Sequence, residues 1–254
     1  MTLRSFSLEH EIALIVGGAS SEIGLATSLS LEEAGAQVVL AEPSASDLQK
    51  AVQRIGGRSS YEIFNAPDSN AAPDLLECAA RRFGPPSIVV YIPEIFLEEE
   101  NRTPPVEEFI RVFNEHVSTA FALARSAAPT MIQQKRGAIL FVASMASVLP
   151  LSRSIAYSSV KTAMRGLVRT LATELSPSGV RVNGIESGFI DSPLARKAFE
   201  NDAQRLQYVM NRTPMQSMGE PEDVGCAAVY LCSPAAKYIT GISLPVDGGA
   251  CIGF

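Results

Sequence analysis

The sequence predicts an α/β fold of three layers, doubly wound on a seven-stranded parallel sheet. Three observations point there. Strand-like runs alternate with helix-like segments from end to end, which is the pattern of βαβ units. The strand-like runs are continuously apolar and rich in Val, Ile and Leu, as strands covered on both faces are. No repeat, low-complexity tract or long linker interrupts the alternation, so residues 1–254 read as one domain. The predicted strands are Glu11–Val16, Gln37–Ala41, Ser60–Phe64, Ser87–Tyr91, Gly137–Val142, Arg181–Glu186 and Ser243–Val246. Helices fall between them: Ile23–Glu33 before Gly35, Asp74–Phe83 before Gly84-Pro85-Pro86, a long one near Val106–Gln133, and another over Tyr157–Glu174. Glu94–Pro105, with Glu98-Glu99-Glu100 and Pro104-Pro105, is expected to be a surface loop at the carboxyl edge of the sheet.

Composition narrows the function classes. With 46% hydrophobic and 19% charged residues the chain is globular, and a net charge of -6 argues against nucleic acid or an anionic membrane as partner. No apolar run approaches the ~20 residues of a membrane span. Met1–Ile12 carries charges where a secretory signal needs an apolar core, so a cytoplasmic location is expected. Cys78, Cys226, Cys232 and Cys251 lack CxxC spacing and are expected to be buried structural thiols.

The first strand runs into Gly17-Gly18-Ala19-Ser20-Ser21-Glu22-Ile23-Gly24 and then a helix, the setting of a Rossmann-type dinucleotide turn. Glycines there permit a tight turn and close backbone approach to a pyrophosphate, while the helix N-terminus offers free N–H groups. Gly18, Ser20, Ile23 and Gly24 are the candidate binding residues. Glu42 ends the second strand, where an acid would bind an adenosine ribose and oppose a 2′-phosphate, favouring NAD (NADH) over NADP. The bland alternative is a strand–helix turn with incidental glycines and a solvated Glu42.

Tyr157 and Lys161 share one face of a helix at i, i+4. An ammonium near a phenol favours phenolate, so the pair is expected to lower the Tyr157 pKa toward the range for proton exchange with an alcohol or carbonyl oxygen. Ser144, at the end of the fifth strand, is placed to donate a hydrogen bond to that oxygen. With the glycine turn, Ser144…Tyr157-x-x-x-Lys161 resembles the pattern of the short-chain dehydrogenase/reductase family over nearly the whole chain. Arg181–Pro193 is similar to the family segment beside the nicotinamide, and Tyr238–Gly241 with Val246–Gly249 to its C-terminal signature. The resemblance implies that Ser144 polarises the substrate oxygen, Tyr157 is the acid/base, and Lys161 tunes Tyr157 and holds the nicotinamide ribose. It adds Gly188 and Ile190 to the cofactor-binding set, and implies tetramers built through the two long helices.

The chain departs from the family pattern in four places. Glu22 replaces a turn glycine, and Tyr91-Ile92-Pro93-Glu94 replaces Asn-Asn-Ala-Gly. Either acid would crowd and repel a dinucleotide's phosphates. His116 stands for an Asn that holds a relay water, and is a candidate relay itself or a drifted structural residue; Ser187 replaces a proline. Two functional readings therefore stay open: an NAD(H)-dependent oxidoreductase acting on a small-molecule alcohol or ketone as a homotetramer, or an impaired subunit completing a heterotetramer with a competent paralogue. Leu194–Arg212 falls where the family places its substrate lid, and its mixture of apolar and basic residues is compatible with an acyl-CoA-type substrate or with a solvated helix.

Overall fold

The computed structural model describes residues 4–57, 59–66, 68–93, 104–200 and 202–253. Strands β1 (Ile12–Val16), β2 (Gln37–Glu42), β3 (Ser59–Ile63), β4 (Ile88–Tyr91), β5 (Gly137–Ser144), β6 (Val180–Ser187) and β7 (Ser243–Val246) lie in one sheet in the order β3-β2-β1-β4-β5-β6-β7. Every neighbouring pair is parallel. The fold is the doubly wound α/β class that the sequence predicts, with strand ends displaced by a residue or two.

Side-chain alternation along each strand feeds two separate cores. Ala13, Ile15, Val38, Leu40 and Val90 face helices α1 (Glu22–Glu33), α2 (Ala45–Ile55) and α9 (Pro221–Cys232). Leu14, Val16, Val39, Val89 and Phe141 face α3 (Ala72–Phe83), α5 (Thr119–Gln134) and α6 (Ile155–Leu175). Each fully buried Leu, Ile or Phe stabilises the fold by about 1.5–3 kcal/mol, which is why both faces read as apolar. The strand order reverses between β1 and β4, opening a crevice at the carboxyl ends of those strands.

The long helix expected near Val106–Gln133 is divided. Helix α4 (Val106–Phe113) passes through a π-helical turn, Asn114–Ser118, before α5 begins. The cause lies beneath it: the Tyr91 hydroxyl, at the end of β4, donates to the Glu115 carbonyl, and the Thr119 amide reaches back to Asn114 O, five residues away. The apolar residues of the two long helices also separate. Val112, Met164 and Val168 are buried within the chain, while Phe113 and Phe121 are exposed with Val106 and Ile110.

The cysteine expectation holds only for Cys232, which is buried, with burial pushing its thiol up to about 12. Cys226, on the same helix α9, is exposed because a six-residue offset turns it well away from the core face; Cys78 and Cys251 are half-buried. No described helix is long and apolar enough to cross a membrane. Most of Glu94–Pro105, Glu94 itself included, lies outside the described residues.

Candidate active site

Ser144 is the last residue of β5, buried, its Oγ accepting from the Ala146 amide at 3.2 Å. Helix α6 begins at Ile155 beneath a hydroxyl network: Ser154 Oγ donates to Leu151 O at 2.8 Å and meets Ser158 Oγ at 2.8 Å. That start brings Tyr157 and Lys161, one turn apart, to the carboxyl ends of β4 and β5. Lys161 is only 2% exposed; its Nζ sits 5.3 Å from the centroid of the Tyr157 ring and donates to Pro93 O at 3.4 Å and Val142 O at 3.5 Å. The ammonium therefore lies over the ring and is directed at backbone oxygens. Contrary to the sequence expectation, the Tyr157 pKa is raised: burial dominates, and a hydrogen bond with Ser144 opposes it. His116 is buried at the centre of the π-helical turn, edge-on to the Tyr157 ring at 6.1 Å.

One residue of this corner escaped the sequence reading. Glu186, 1% exposed on β6, accepts from Ser147 Oγ at 2.7 Å and pairs with Arg165 Nε at 2.8 Å, tying β6 and α6 to the turn that follows Ser144. Burial raises its pKa, while Ser147 and Arg165 pull it down. The available signal was an acid within a strand that the alternation of elements predicts to be covered on both faces. Ser187, beside it, donates to Ala143 O at 3.2 Å and so joins the ends of β5 and β6.

At the glycine turn the backbone alone demands its glycines. Gly17 and Gly18 have φ of +83° and +92°, and a Cβ on Gly24 would lie 2.2 Å from Gly18 Cα. Ser21 caps α1, its Oγ accepting from the Gly24 amide at 3.0 Å. Glu42 is buried against this turn: Oε2 accepts from the Ala19 and Ser20 amides at 2.9 and 3.3 Å, whereas Oε1 has no donor among the described residues. Desolvation raises its pKa and the two amides oppose that rise.

Two cavities flank the turn. One, about 340 Å³, is lined by Gly18, Ser20, Glu42, Pro43 and Asn65, and the other, about 530 Å³, by Ser20, Glu22, Ile23, Tyr157, Lys161 and Lys197. Ser20, Ile92 and Pro93 line both, so the cavities form one trough. The trough fits a nicotinamide dinucleotide at its two ends. The buried Oε1 of Glu42, without a donor among the described residues, suits a ribose hydroxyl, and Tyr157 with Lys161 closes the far end; among the described residues Glu22 opposes the phosphates between them. Gly188 and Ile190 line neither cavity: a Cβ on Gly188 would lie 2.5 Å from Asp247 Cα, and Ile190 is a core residue bridged to Gly219. They set the path of the segment whose Ser187 and Ser192 do face the trough.

A larger cavity, about 730 Å³, opens at the amino ends of β4 to β6, away from this chemistry. Its Arg181 is committed to the Leu231, Cys232 and Ser233 carbonyls, and its Arg136 to Glu11 at 2.5 Å.

Residues 18–251 match the family model described as enoyl-(acyl carrier protein) reductase. The chain is 27% identical over 248 residues to 3-oxoacyl-[acyl-carrier-protein] reductase FabG of Thermotoga maritima, covering 96% of this chain and 99% of the relative. A short-chain type dehydrogenase/reductase from Mycobacterium marinum superposes with a TM-score of 0.86 at 28% identity, over 97% of each chain. Gluconate 5-dehydrogenase from Burkholderia cenocepacia, solved with NADP and tartrate, shares the fold with a TM-score of 0.89 at 24% identity, over 99% of each chain. A glycine turn at the β1–β4 reversal, a Ser–Tyr–Lys corner at the end of β5 and a family match spanning both leave one conclusion: the chain belongs to the short-chain dehydrogenase/reductase family.

Proposed function

We propose that this chain is an NAD(H)-dependent oxidoreductase that interconverts a secondary alcohol and a ketone. The observation carrying this reading is that Tyr157, hydrogen-bonded to Ser144, and Lys161 line the same trough as Ser20, Ser21 and Ile23 of the glycine turn. Bound there, the dinucleotide would supply or accept the hydride. Glu42, Gly18, Ser20, Ile23 and Gly24 would hold its adenosine and phosphate portions and Lys161 its nicotinamide ribose; Gly188 and Ile190 would act by placing the segment beside the nicotinamide. Glu42 opposes a 2′-phosphate, which favours NAD over the NADP carried by the Burkholderia enzyme.

The protein's own part is proton transfer and orientation. Ser144 donates a hydrogen bond to the substrate oxygen. In reduction, Tyr157 gives its phenolic proton to that oxygen as the carbonyl carbon gains the hydride; in oxidation, the phenolate takes the hydroxyl proton as the carbon loses it. Burial keeps the phenol protonated at neutral pH, which suits reduction, and oxidation should accelerate as pH rises. His116, edge-on to Tyr157, is the candidate relay. Its replacement by Asn should preserve turnover if it is a structural residue and abolish it if it is the relay. The lid, α7 (Pro193–Phe199) and α8 (Ala203–Arg212), presents Lys197 and exposed Tyr208, compatible with an acyl-CoA-type substrate. The test is turnover by the purified chain alone with NADH and a panel of oxoacyl thioesters; no activity with any cofactor would remove this reading.

Glu22 in the trough, together with exposed Val106, Ile110, Phe113 and Phe121, favours a second reading. In it the chain, cytoplasmic and a single domain, is an impaired subunit of a heterotetramer with a paralogue, instead of a homotetramer. Co-expression with such a paralogue, followed by mass measurement and a count of bound NADH, separates the two. Two NADH per mixed tetramer supports the second reading, and four per homotetramer the first.

A further inference from the structure

We infer that Lys197, on helix α7, is the countercharge that lets a dinucleotide pass Glu22. This rests on the reading of the trough as a nicotinamide site. The argument starts from the charge at the turn. Glu22 opens α1, where the helix N-terminus would otherwise present its amides to a pyrophosphate without an opposing charge. Glu22 lines the 530 Å³ cavity, so its carboxylate adds a like charge where two phosphate charges are expected.

The same cavity is lined from another element by Lys197. Lys197 makes no ion pair with a described residue, and neither does Glu22. An unspent ammonium and an unspent carboxylate therefore share one trough without touching each other. The two other cations nearby are committed. Lys161 is buried against the Pro93 and Val142 carbonyls, and Arg196 is forked onto Asp191 at 2.7 and 3.0 Å. Glu22 still acts on Arg196: after the hydrogen bond and charge of Asp191, its charge helps raise the Arg196 pKa, which places the first turns of α7 within electrostatic range of the carboxylate.

Among the described residues, Lys197 is thus the cation left to neutralise a phosphate beside Glu22. Relative to a turn with glycine at this position, the chain adds one negative charge on α1, and α7 supplies one positive charge that lines the same cavity. Lys197 is a positioning residue for the cofactor in this scheme; it moves no proton and touches no reacting atom.

The two charges are coupled only if this is right, so the test is a double-mutant cycle read by calorimetric titration with NADH. Lys197→Ala should weaken NADH binding about tenfold in the natural chain and less than about threefold in a Glu22→Gly background, since without the carboxylate the lysine has less to offset. Glu22→Gln, which keeps the helix former, should reproduce the Glu22→Gly result, and Lys197→Arg should retain the natural affinity. Circular dichroism melting of each variant identifies any that fails to fold. Equal losses on Lys197→Ala in both backgrounds would overturn the inference, because the lysine would then act without reference to Glu22. Binding by the Glu22→Gly chain with none by the natural chain would overturn it too, while leaving the trough a dinucleotide site. No binding by any variant would remove both the inference and the reading beneath it.

Discussion

The β5–α6 corner and the β1–α1 turn face the same trough, yet their polar groups are held in opposite ways. At the corner, residues of the family pattern persist and each is tied inward: Ser144 to the Ala146 amide, Lys161 to two strand-end carbonyls, and the Glu186 brace beneath. At the turn, the backbone keeps its shape while the side chains depart: among the described residues Glu22, in the cavity, has no ion-pair partner and one Glu42 oxygen has no donor. The difference separates two demands that usually coincide. Gly18 and Gly24 are required by helix–strand packing, whatever binds above them, whereas Glu22 breaks no packing rule and bears only on the ligand.

The sharpest way to break the comparison is at the corner. Tyr157→Phe should reduce turnover by about 10²–10⁴-fold with little change in substrate KM, measured by steady-state kinetics. A loss below tenfold would mean that the phenol does not move the proton. The turn gives the next effect, in stability. Gly24→Val places methyl groups into the Gly18 backbone and should cost about 3 kcal/mol in denaturant unfolding, whereas Glu22→Gly should change it by no more than about 1 kcal/mol. Equal costs would erase the distinction between packing and ligand residues.

Tyr91→Phe comes third. It deletes the hydroxyl that donates to Glu115 O and should cost about 1–2 kcal/mol, with the denaturant slope unchanged. The smallest effect is a slope. The Glu186 pKa lies above its ordinary 4.5 in the folded chain, so that chain holds the proton to higher pH than the unfolded one. Stability should therefore fall as pH rises from about 4.5 through the raised value, and Glu186→Gln should flatten that fall in melting temperatures taken from pH 4 to 8.

Most of the fold was legible because parallel strands buried on both faces leave nearly unbroken apolar runs, as β1, β4, β5 and the interior of β2 do, while β6 interrupts its run with Arg181, Asn183 and Glu186. The candidate corner was legible because Tyr157 and Lys161 lie one helical turn apart. Other features were not local. The π-helical turn depends on Tyr91, more than twenty positions earlier, and Glu186 finds its partners on α6 and in the turn after β5. The raised Tyr157 pKa depends on burial that no spacing reveals, and the cavity shared by Lys197 and Glu22 brings together residues 175 positions apart.

The π-helical turn also fixes a phase. An α-helix advances about 100° per residue, so the one residue added between Phe113 and Thr119 makes α4 and α5 two helices wound out of step along nearly one axis. Removing a single residue there, for example Ser118, would restore one continuous winding. With α5 held by the sheet, every side chain before the deletion would turn by about that angle, His116 would leave the Tyr157 ring, and Phe113 and Ile110 would point elsewhere. The length of this segment thus couples the proton-transfer corner to the outer apolar face as two hands on one shaft.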